Sequence, residues 1–415
     1  MVKKKVIVLG GGIVGLSTAY YLIQEGHEVT IIDKGRLDSG ASHVNAGYLT
    51  PSHIVPMAAP GMISKGMNWM FNAKSPFYIK PRFDLDLIRW GLKFMKSCTN
   101  DHVQSSMKSI LDINLLSKKL YLEMLKSESF DFHLETKGLL MAYKTSHAEK
   151  EESEISKWAK DLGIKVEQFS KEQVLKIQPD IPMDIAGAFW YKSDAHSTPE
   201  LFINNLKDYL IKKGVGFKLE NTVKYFQKNN KQIQKVVTDK GIFEADEFVL
   251  STGAWSQQIL KDLGIKLLIQ PGKGYRINVY KYTGIKVPAI LLESKVAVTP
   301  MEGFTRFGGT MEISGINDRT NIKRVHAIAD SVTKYYPTLE IPKTSINDVQ
   351  SGLRPLSPDG LPFIGRHSKI KNMVLATGHS MMGWSLGPAT GQLVTEVISG
   401  RKTSMDLKPF LPERI

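Results

Sequence analysis

The sequence predicts an α/β chain, α+β overall, in which a Rossmann-type dinucleotide-binding domain is interleaved with an antiparallel-sheet domain. Three observations predict it. A βαβ unit fills the first 33 residues, with a glycine-rich turn after its first strand. The same strand–turn–helix pattern returns near the C-terminus. The chain between them holds no internal repeat and no low-complexity linker, so neither domain is one continuous segment. We expect the dinucleotide-binding domain to comprise residues 1–55, 195–270 and 345–415, and the second domain residues 56–194 and 271–344, with a helical insert.

Lys5–Leu9 is an apolar, β-branched run suited to a buried parallel strand. Gly15–Glu25 reads as a helix stopped by Gly26, and His27–Asp33 as the second strand. Residues 34–56, rich in Ser, Gly, His and Pro, read as loop. From Asp84 to about Ser127 the apolar spacing is helical. Gly138–Tyr143 and Gly187–Tyr191 read as strands around a charged helix, Glu149–Leu162. Thr198-Pro199-Glu200 has N-cap, N1 and first-turn chemistry and opens a helix to about Lys213. A β-meander follows, with turns at Asn229-Asn230 and Asp239-Lys240-Gly241. Glu247–Ser251 is another buried strand, and strands and loops dominate Tyr275–Thr310. Met373–Ala376 then leads through a Gly-rich turn into a helix from about Pro388 to Ile398.

With 42% hydrophobic and 23% charged residues over 415 positions, the chain can bury a large core without staples. Its one cysteine, Cys98, excludes internal disulfides and cysteine-based metal clusters and fits a reducing, cytoplasmic location. No small-residue cleavage site follows Lys3-Lys4-Lys5, so no signal peptide is expected. Val6–Ile23 approaches the length of a membrane span, but its four glycines and its change of pattern read as strand, turn and helix. The net charge of +14 has three readings: a solvated surface, an anionic-membrane contact, or a nucleic-acid footprint. Nine lysines between Lys207 and Lys240 fall on a helix and a meander, which spreads them over several faces, and no nucleic-acid partner is expected.

Gly10-Gly11-Gly12-Ile13-Val14-Gly15 fits G-x-G-x-x-G directly after a strand and at a helix start. Gly10 permits the tight turn, Gly12 the approach of a pyrophosphate, and Gly15 close helix–strand packing. The helix N-terminus offers N–H groups to phosphates. Asp33, 18 residues after Gly15, can accept hydrogen bonds from a ribose diol, with Lys34 beside it. Two later features separate FAD from NAD. One is the small-residue turn Thr252-Gly253-Ala254-Trp255. The other is the turn Gly378–Gly387, where His379, Met381, Met382, Gly383 and Trp384 can bring N–H groups to a flavin ring and stabilise its reduced form.

On these residues the chain resembles the FAD-dependent D-amino-acid dehydrogenase branch of the amino-acid oxidase superfamily, which includes glycine and sarcosine oxidases. Ser39–Tyr48, Trp69 with Arg89-Trp90, Pro271–Tyr275, Gly352–Gly360 with Pro362 and Gly365, and Gly378–Trp384 also carry the resemblance. It implies non-covalent FAD, with Ser42, His43, Asn45, Ala46 and Gly47 against it and Val223 meeting the adenine. It implies that Arg354 clamps a substrate carboxylate and that Tyr275 lines the substrate site. It further implies that electrons pass to a membrane quinone or respiratory chain, with a peripheral seat on the inner face of the cell membrane. The chain departs from the pattern at Asp33, where Glu is frequent, and at Arg276, where Ser is common. Arg276 is either a second carboxylate ligand or a surface residue. Cys98 sits in a helical region, so no covalent flavin link is expected.

The implied reaction moves a hydride from Cα to flavin N5 and leaves an imino acid that hydrolyses to a 2-oxo acid. An arginine fork matches a carboxylate bidentately, and positioning supplies most of the rate. Arg354, Tyr275 and His379 are therefore candidate catalytic residues. Arg276, His53 and Trp384 join Arg354 and Tyr275 as candidate substrate contacts. Each has a plainer reading: Arg354 paired with Asp359, Tyr275 and Trp384 as core, His379 as a strand-end cap, His43 and His53 as solvated loop. No metal-ligand cluster stands out. The stretch Ile54–Phe77, with Met57, Met62, Met67, Trp69, Met70 and Phe71 beside Lys65 and Lys74, is either a buried lid or a surface that dips into a membrane. Three functions remain: a D-amino-acid dehydrogenase, with D-proline or hydroxy-D-proline among its substrates; a glycine- or sarcosine-type oxidase using O2; and, remotely, a flavin-bearing RNA-modifying or interaction protein.

Overall fold

Val6–Leu9 are buried on both faces, as a central parallel strand must be. In the computed structural model, which describes residues 2–64, 66, 75–127 and 130–415, the strand Lys5–Leu9 lies between Glu28–Ile32 and Glu247–Leu250, all parallel. The sheet has six strands, in the order Gly216–Lys218, Glu28–Ile32, Lys5–Leu9, Glu247–Leu250, Ile370–Thr377, Phe363–His367. Only its last pair is antiparallel. Helices Ile13–Gln24, Pro199–Lys212 and Gly383–Ser399 share one core with it. The first and third of these pack closely through glycines: a Cβ on Gly387 would lie 2.7 Å from the Ile13 side chain at Cγ1, and one on Gly391 2.5 Å from the backbone C of Ser17. Helix Ser256–Asp262 and the meander Val223–Glu244 supply a second core with the same sheet.

A nine-stranded sheet forms the other layer. Its order is Gln350–Leu356, Gln270–Val279, Phe304–Ile313, Val296–Met301, Ala289–Leu291, Leu139–Tyr143, Gly187–Tyr191, Val166–Ser170, with Phe77–Ile79 beside the end of Phe304–Ile313. Most pairs are antiparallel; Ala289–Leu291 with Leu139–Tyr143 and Phe304–Ile313 with Phe77–Ile79 are parallel. All ten residues of Gln270–Val279 are buried, and helix Ile322–Tyr335 shares a core with them. A small sheet, Tyr48–Leu49, Ala195–Ser197 and Leu134–Glu135, draws on three distant segments. The chain thus enters the parallel and antiparallel layers alternately, the interleaved α/β arrangement expected.

Several elements differ from expectation. The helical span 84–127 is two helices, Leu85–Ser97 and Asn100–Lys126, because Thr99 caps the second by accepting from the His102 N–H at 3.2 Å. The last helix starts at Gly383, and Pro388 lies inside it. Proline cannot donate to the carbonyl four residues back. The Tyr121 hydroxyl donates to that carbonyl, Trp384 O, at 2.8 Å. Helix Ile322–Tyr335 and strands Gln350–Leu356 and Phe363–His367 had no reading. Among the described residues, no helix is long and apolar enough to cross a membrane.

Candidate active site

A cavity of about 1790 Å³ is lined by both large sheets and reaches from the Gly10 turn to Arg354. Typical ligand pockets hold roughly 300–1,000 Å³, so this one has room for a dinucleotide and a small substrate together. At one end Gly10, with φ +96°, turns the chain so that the helix begins at Ile13. A Cβ on Gly15 would lie 1.9 Å from Gly10 O, so only glycine lets the helix sit this close. Asp33 accepts from the N–H groups of Gly11 and Gly35, each at 2.7 Å. Ser42 Oγ accepts from the Ile13 N–H at 3.0 Å. Gly12, Ile13 and Val14 at the helix start line the cavity, at the positive end of the helix dipole. Lys34 sits over the Trp255 ring, 3.4 Å from its centre. A glycine-floored helix N-terminus beside a fixed carboxylate suits the pyrophosphate and ribose of FAD.

The loop His43–Ala46 forms the next wall and is held from behind by Arg306, which is fully buried. Nη1 donates to the carbonyls of His43 (2.8 Å) and Asn45 (2.7 Å), Nε donates to Asn278 Oδ1 (3.0 Å), and Nη2 pairs with Glu200. Sequence reasoning missed Arg306; the one available signal was a single charge within the apolar and small-residue run Phe304–Gly309. His43 is turned back to Leu37 O at 2.7 Å, and burial lowers its pKa, so its ring is neutral.

Arg354 stands at the far end. Its Nη1 donates to Thr310 O at 2.8 Å, and its guanidinium covers Gly274, where a Cβ would lie 2.2 Å from Nη1. Burial lowers its pKa to about 10, which leaves it charged at neutral pH. Among the described residues no carboxylate pairs with it. Asp359 is taken by Arg414, through contacts of 2.7 and 3.0 Å. A half-buried charge whose hydrogen-bond partner among the described residues is a carbonyl suits an anion from the cavity. The Arg354 strand is tied to the late Gly-rich turn: Ser380 N donates to Pro355 O at 2.9 Å. Trp90 Nε1 donates to Leu356 O at 2.9 Å. His53 also lines the cavity; burial and then the charge of Lys295 lower its pKa to about 4. Behind it, burial raises the pKa of Asp194 to about 7, against hydrogen bonds from the hydroxyl and N–H of Ser52.

Of the expected contacts, Gly10, Gly12, Ile13, Val14, Asp33, Lys34, Ser42, His43, Asn45, Ala46, Val223, Thr252, Gly253, Trp255, His379, Met381, Met382, Gly383 and Trp384 line this one cavity, as do His53, Tyr275 and Arg354. Gly15, Gly47 and Gly378 stand a layer behind; a Cβ on the last two would lie 2.1 Å from Ser197 O and 2.6 Å from Phe363 Cδ2. Arg276 needs correcting as a substrate contact. Strand alternation turns it from the face that Tyr275 uses, and it lies buried 3.6 Å from Asp348. Tyr275 brings its ring to the cavity but not its hydroxyl, which donates to Glu312 and accepts from the Asn321 N–H, both at 3.0 Å. The imidazole of His379 is corrected too: it bonds Thr390 Oγ1 at 2.9 Å, and burial lowers its pKa to about 3, so it carries no proton to or from a substrate. The Trp384 indole donates to Ser197 Oγ at 3.0 Å and packs on Tyr121 and Phe202. Met57 and Met62 line the cavity; Lys65, Met67, Trp69, Met70, Phe71 and Lys74 lie outside the described residues.

Comparison with known proteins agrees with this geometry. The family described as FAD dependent oxidoreductase matches residues 5–397. A D-amino acid dehydrogenase of Neisseria meningitidis is 32% identical over 409 residues, covering 97% of each chain. One of Allorhizobium ampelinum is 30% identical over 415 residues, covering 97% of this chain and 96% of its own. Among solved structures, glycine oxidase of Geobacillus kaustophilus superposes with TM-score 0.79 at 21% identity over the whole of both chains. The L-proline dehydrogenase of P. horikoshii does so with 0.70 at 22% identity, over 99% of this chain and 97% of its own. At those identities the structures show the shared fold. With a motif-bearing helix N-terminus, a dinucleotide-sized cavity and a family match over nearly its full length, this chain belongs to the FAD-dependent oxidoreductases.

Proposed function

We propose that this enzyme oxidises a small D-amino acid at the carbon bearing nitrogen. The single observation that carries the reading is Arg354, a half-buried guanidinium at the substrate end of the cavity with no acidic partner among the described residues. Bound FAD supplies the acceptor for the electron pair and hydrogen that leave Cα. Arg354 binds the substrate carboxylate and so fixes the orientation of Cα. The Tyr275 ring and the neutral His53 shape the wall around it. Neither His53 nor His379 competes with the carboxylate by carrying a charge. The carbon–nitrogen double bond formed is then hydrolysed by water, releasing ammonia and a 2-oxo acid. A cyclic secondary amine such as D-proline or hydroxy-D-proline loses the same two hydrogens. The D-amino acid dehydrogenase names of the relatives support the choice of substrate class.

The electron acceptor in this reading is a quinone at a membrane surface. Helix Leu85–Ser97 exposes Leu85, Ile88, Leu92 and Met95 along one stripe, Phe83 before it is 90% exposed, and Arg89, Lys93 and Lys96 flank it. Ile88, Leu92 and Met95 also border the cavity, and Trp90 of the same helix bonds Leu356 O on the Arg354 strand, so a bilayer seated there opens onto the substrate end. The test is anaerobic bleaching of the flavin band by a panel of D- and L-amino acids, prolines and N-methylglycine. Bleaching by D-amino acids, with dye reduction and little peroxide in air, is expected. Bleaching by glycine or N-methylglycine alone, with rapid peroxide, would instead select the oxidase reading, for which the glycine oxidase fold is the precedent. Sedimentation with anionic vesicles at low salt, lost in Leu92→Glu, tests the membrane seat.

A further inference from the structure

We propose that His133, Glu135 and His196 form a site for one divalent transition metal ion of the zinc type, outside the flavin cavity. His133 and Glu135 are two residues apart in extended chain, so their side chains share a face. Glu135 lies directly opposite His196 in the small sheet. One donor atom from each of the three falls within 4.8 Å of the others. Glu135 Oε2 is 3.3 Å from His196 Nε2 and 3.8 Å from His133 Nε2. Donors on a tetrahedral zinc ion stand roughly 3.3 Å apart, so the three atoms need only small shifts to share one ion.

The independent observation is His196 itself. It is fully buried, and among the described residues neither ring nitrogen makes a well-aligned hydrogen bond; Nε2 has only the contact with Glu135 Oε2 at 3.3 Å. Buried polar groups without partners are rare and costly, and a metal at Nε2 would satisfy one of these atoms. His133 is already oriented from behind: its Nδ1 lies 2.9 Å from Thr198 Oγ1. The tautomer with its proton on Nδ1 leaves the Nε2 lone pair for the ion, the usual outer-shell arrangement of a ligating histidine. Thr198 Oγ1 also accepts from the Glu302 N–H at 2.9 Å, which fixes that hydroxyl. Two imidazoles and a carboxylate leave a fourth position for water. The Lys137 ammonium sits 2.8 Å from the same Glu135 oxygen. It is exposed and is the cation a metal would displace. The ion would clip strand Leu134–Glu135 to strand Ala195–Ser197, whose other neighbour, Tyr48, lines the flavin cavity.

The test uses untagged, flavin-loaded enzyme with Zn2+, and with Co2+ as a visible probe. About one ion per chain after dialysis, a tetrahedral Co2+ band and a raised melting midpoint on Zn2+ addition are expected. Glu135→Gln and His196→Ala should each weaken binding at least about tenfold, whereas Lys137→Met should tighten it. His147→Ala, in a surface pair with Glu151 at 3.2 Å, should change nothing. If His196→Ala loses its flavin spectrum, Glu135→Gln and Lys137→Met decide. No uptake by the parent enzyme, or uptake indifferent to Glu135→Gln and Lys137→Met, overturns the proposal.

Discussion

The two ends of the cavity are built in opposite ways. At the dinucleotide end the ligand faces backbone: the Gly10–Gly15 turn and the N–H groups of a helix start, with Asp33 held by two further N–H groups. At the substrate end it faces a side chain, Arg354, whose position depends on a strand laid against Gly274 and on a carbonyl from Thr310. The first end is local and rigid by sterics. The second is assembled from segments up to 80 residues apart, counted from Gly274 to Arg354, and is defined by a charge with no carboxylate partner among the described residues. Damage at the first should therefore abolish cofactor binding, and damage at the second should abolish turnover in an enzyme that keeps its flavin.

The sharpest break is Gly15→Val. Its Cβ alone would stand 1.9 Å from a backbone oxygen, and no flexible side chain is there to give way. Colourless or insoluble protein is expected, checked by flavin absorbance per chain; yellow protein with ordinary affinity would show that the helix can retreat. Next comes Arg354→Met, which should keep the flavin spectrum and lose about a hundredfold or more in kcat/KM for carboxylated amines, since truncating one partner of a hydrogen-bonded charge pair desolvated on binding costs ~2–5 kcal/mol. Arg354→Lys should recover part of that loss, as a point charge replaces a fork.

A third difference is electrostatic. Burial raises the folded-state pKa of Asp194 to about 7, above its ordinary value of 3.8. The folded protein therefore holds a proton that the unfolded chain has lost, and stability from this group is full below about pH 4 and declines as pH rises to about 7. The cost over that window is up to about 4 kcal/mol, three units at ~1.4 kcal/mol each. Asp194→Asn should flatten the decline. Comparing the two melting midpoints from pH 5 to 8 checks this, and parallel curves would show that Asp194 ionises as an ordinary carboxylate.

The same contrast explains what could be read from the chain. Strands Lys5–Leu9 and Gly187–Tyr191 stand where their β-branched and aromatic runs place them, and the glycine motif reports itself because each glycine answers a local steric demand. Arg306 and the His133–Glu135–His196 group carry no such mark, because their partners come from remote strands. Arg276 misled for a related reason. Adjacent to Tyr275 in sequence, it belongs to the other face of the strand. His379 misled because proximity to the cavity does not decide where an imidazole points, and this one points at Thr390.

The smallest predicted effect lies where the two ends meet. Helix Gly383–Ser399 packs its glycines on Ile13–Gln24 and turns its first residues toward the substrate end. Pro388 deprives Trp384 O of its helical donor, and Tyr121, from helix Asn100–Lys126, donates in its place. Tyr121→Phe keeps the ring's packing on Phe202 and Trp384 and removes only that donor. A buried carbonyl left alone costs ~1–3 kcal/mol, so the melting midpoint should fall by a few degrees while flavin affinity stays the same. If flavin affinity fell as well, this helix would be transmitting strain from the substrate end to the dinucleotide end, and the two could no longer be treated as separable.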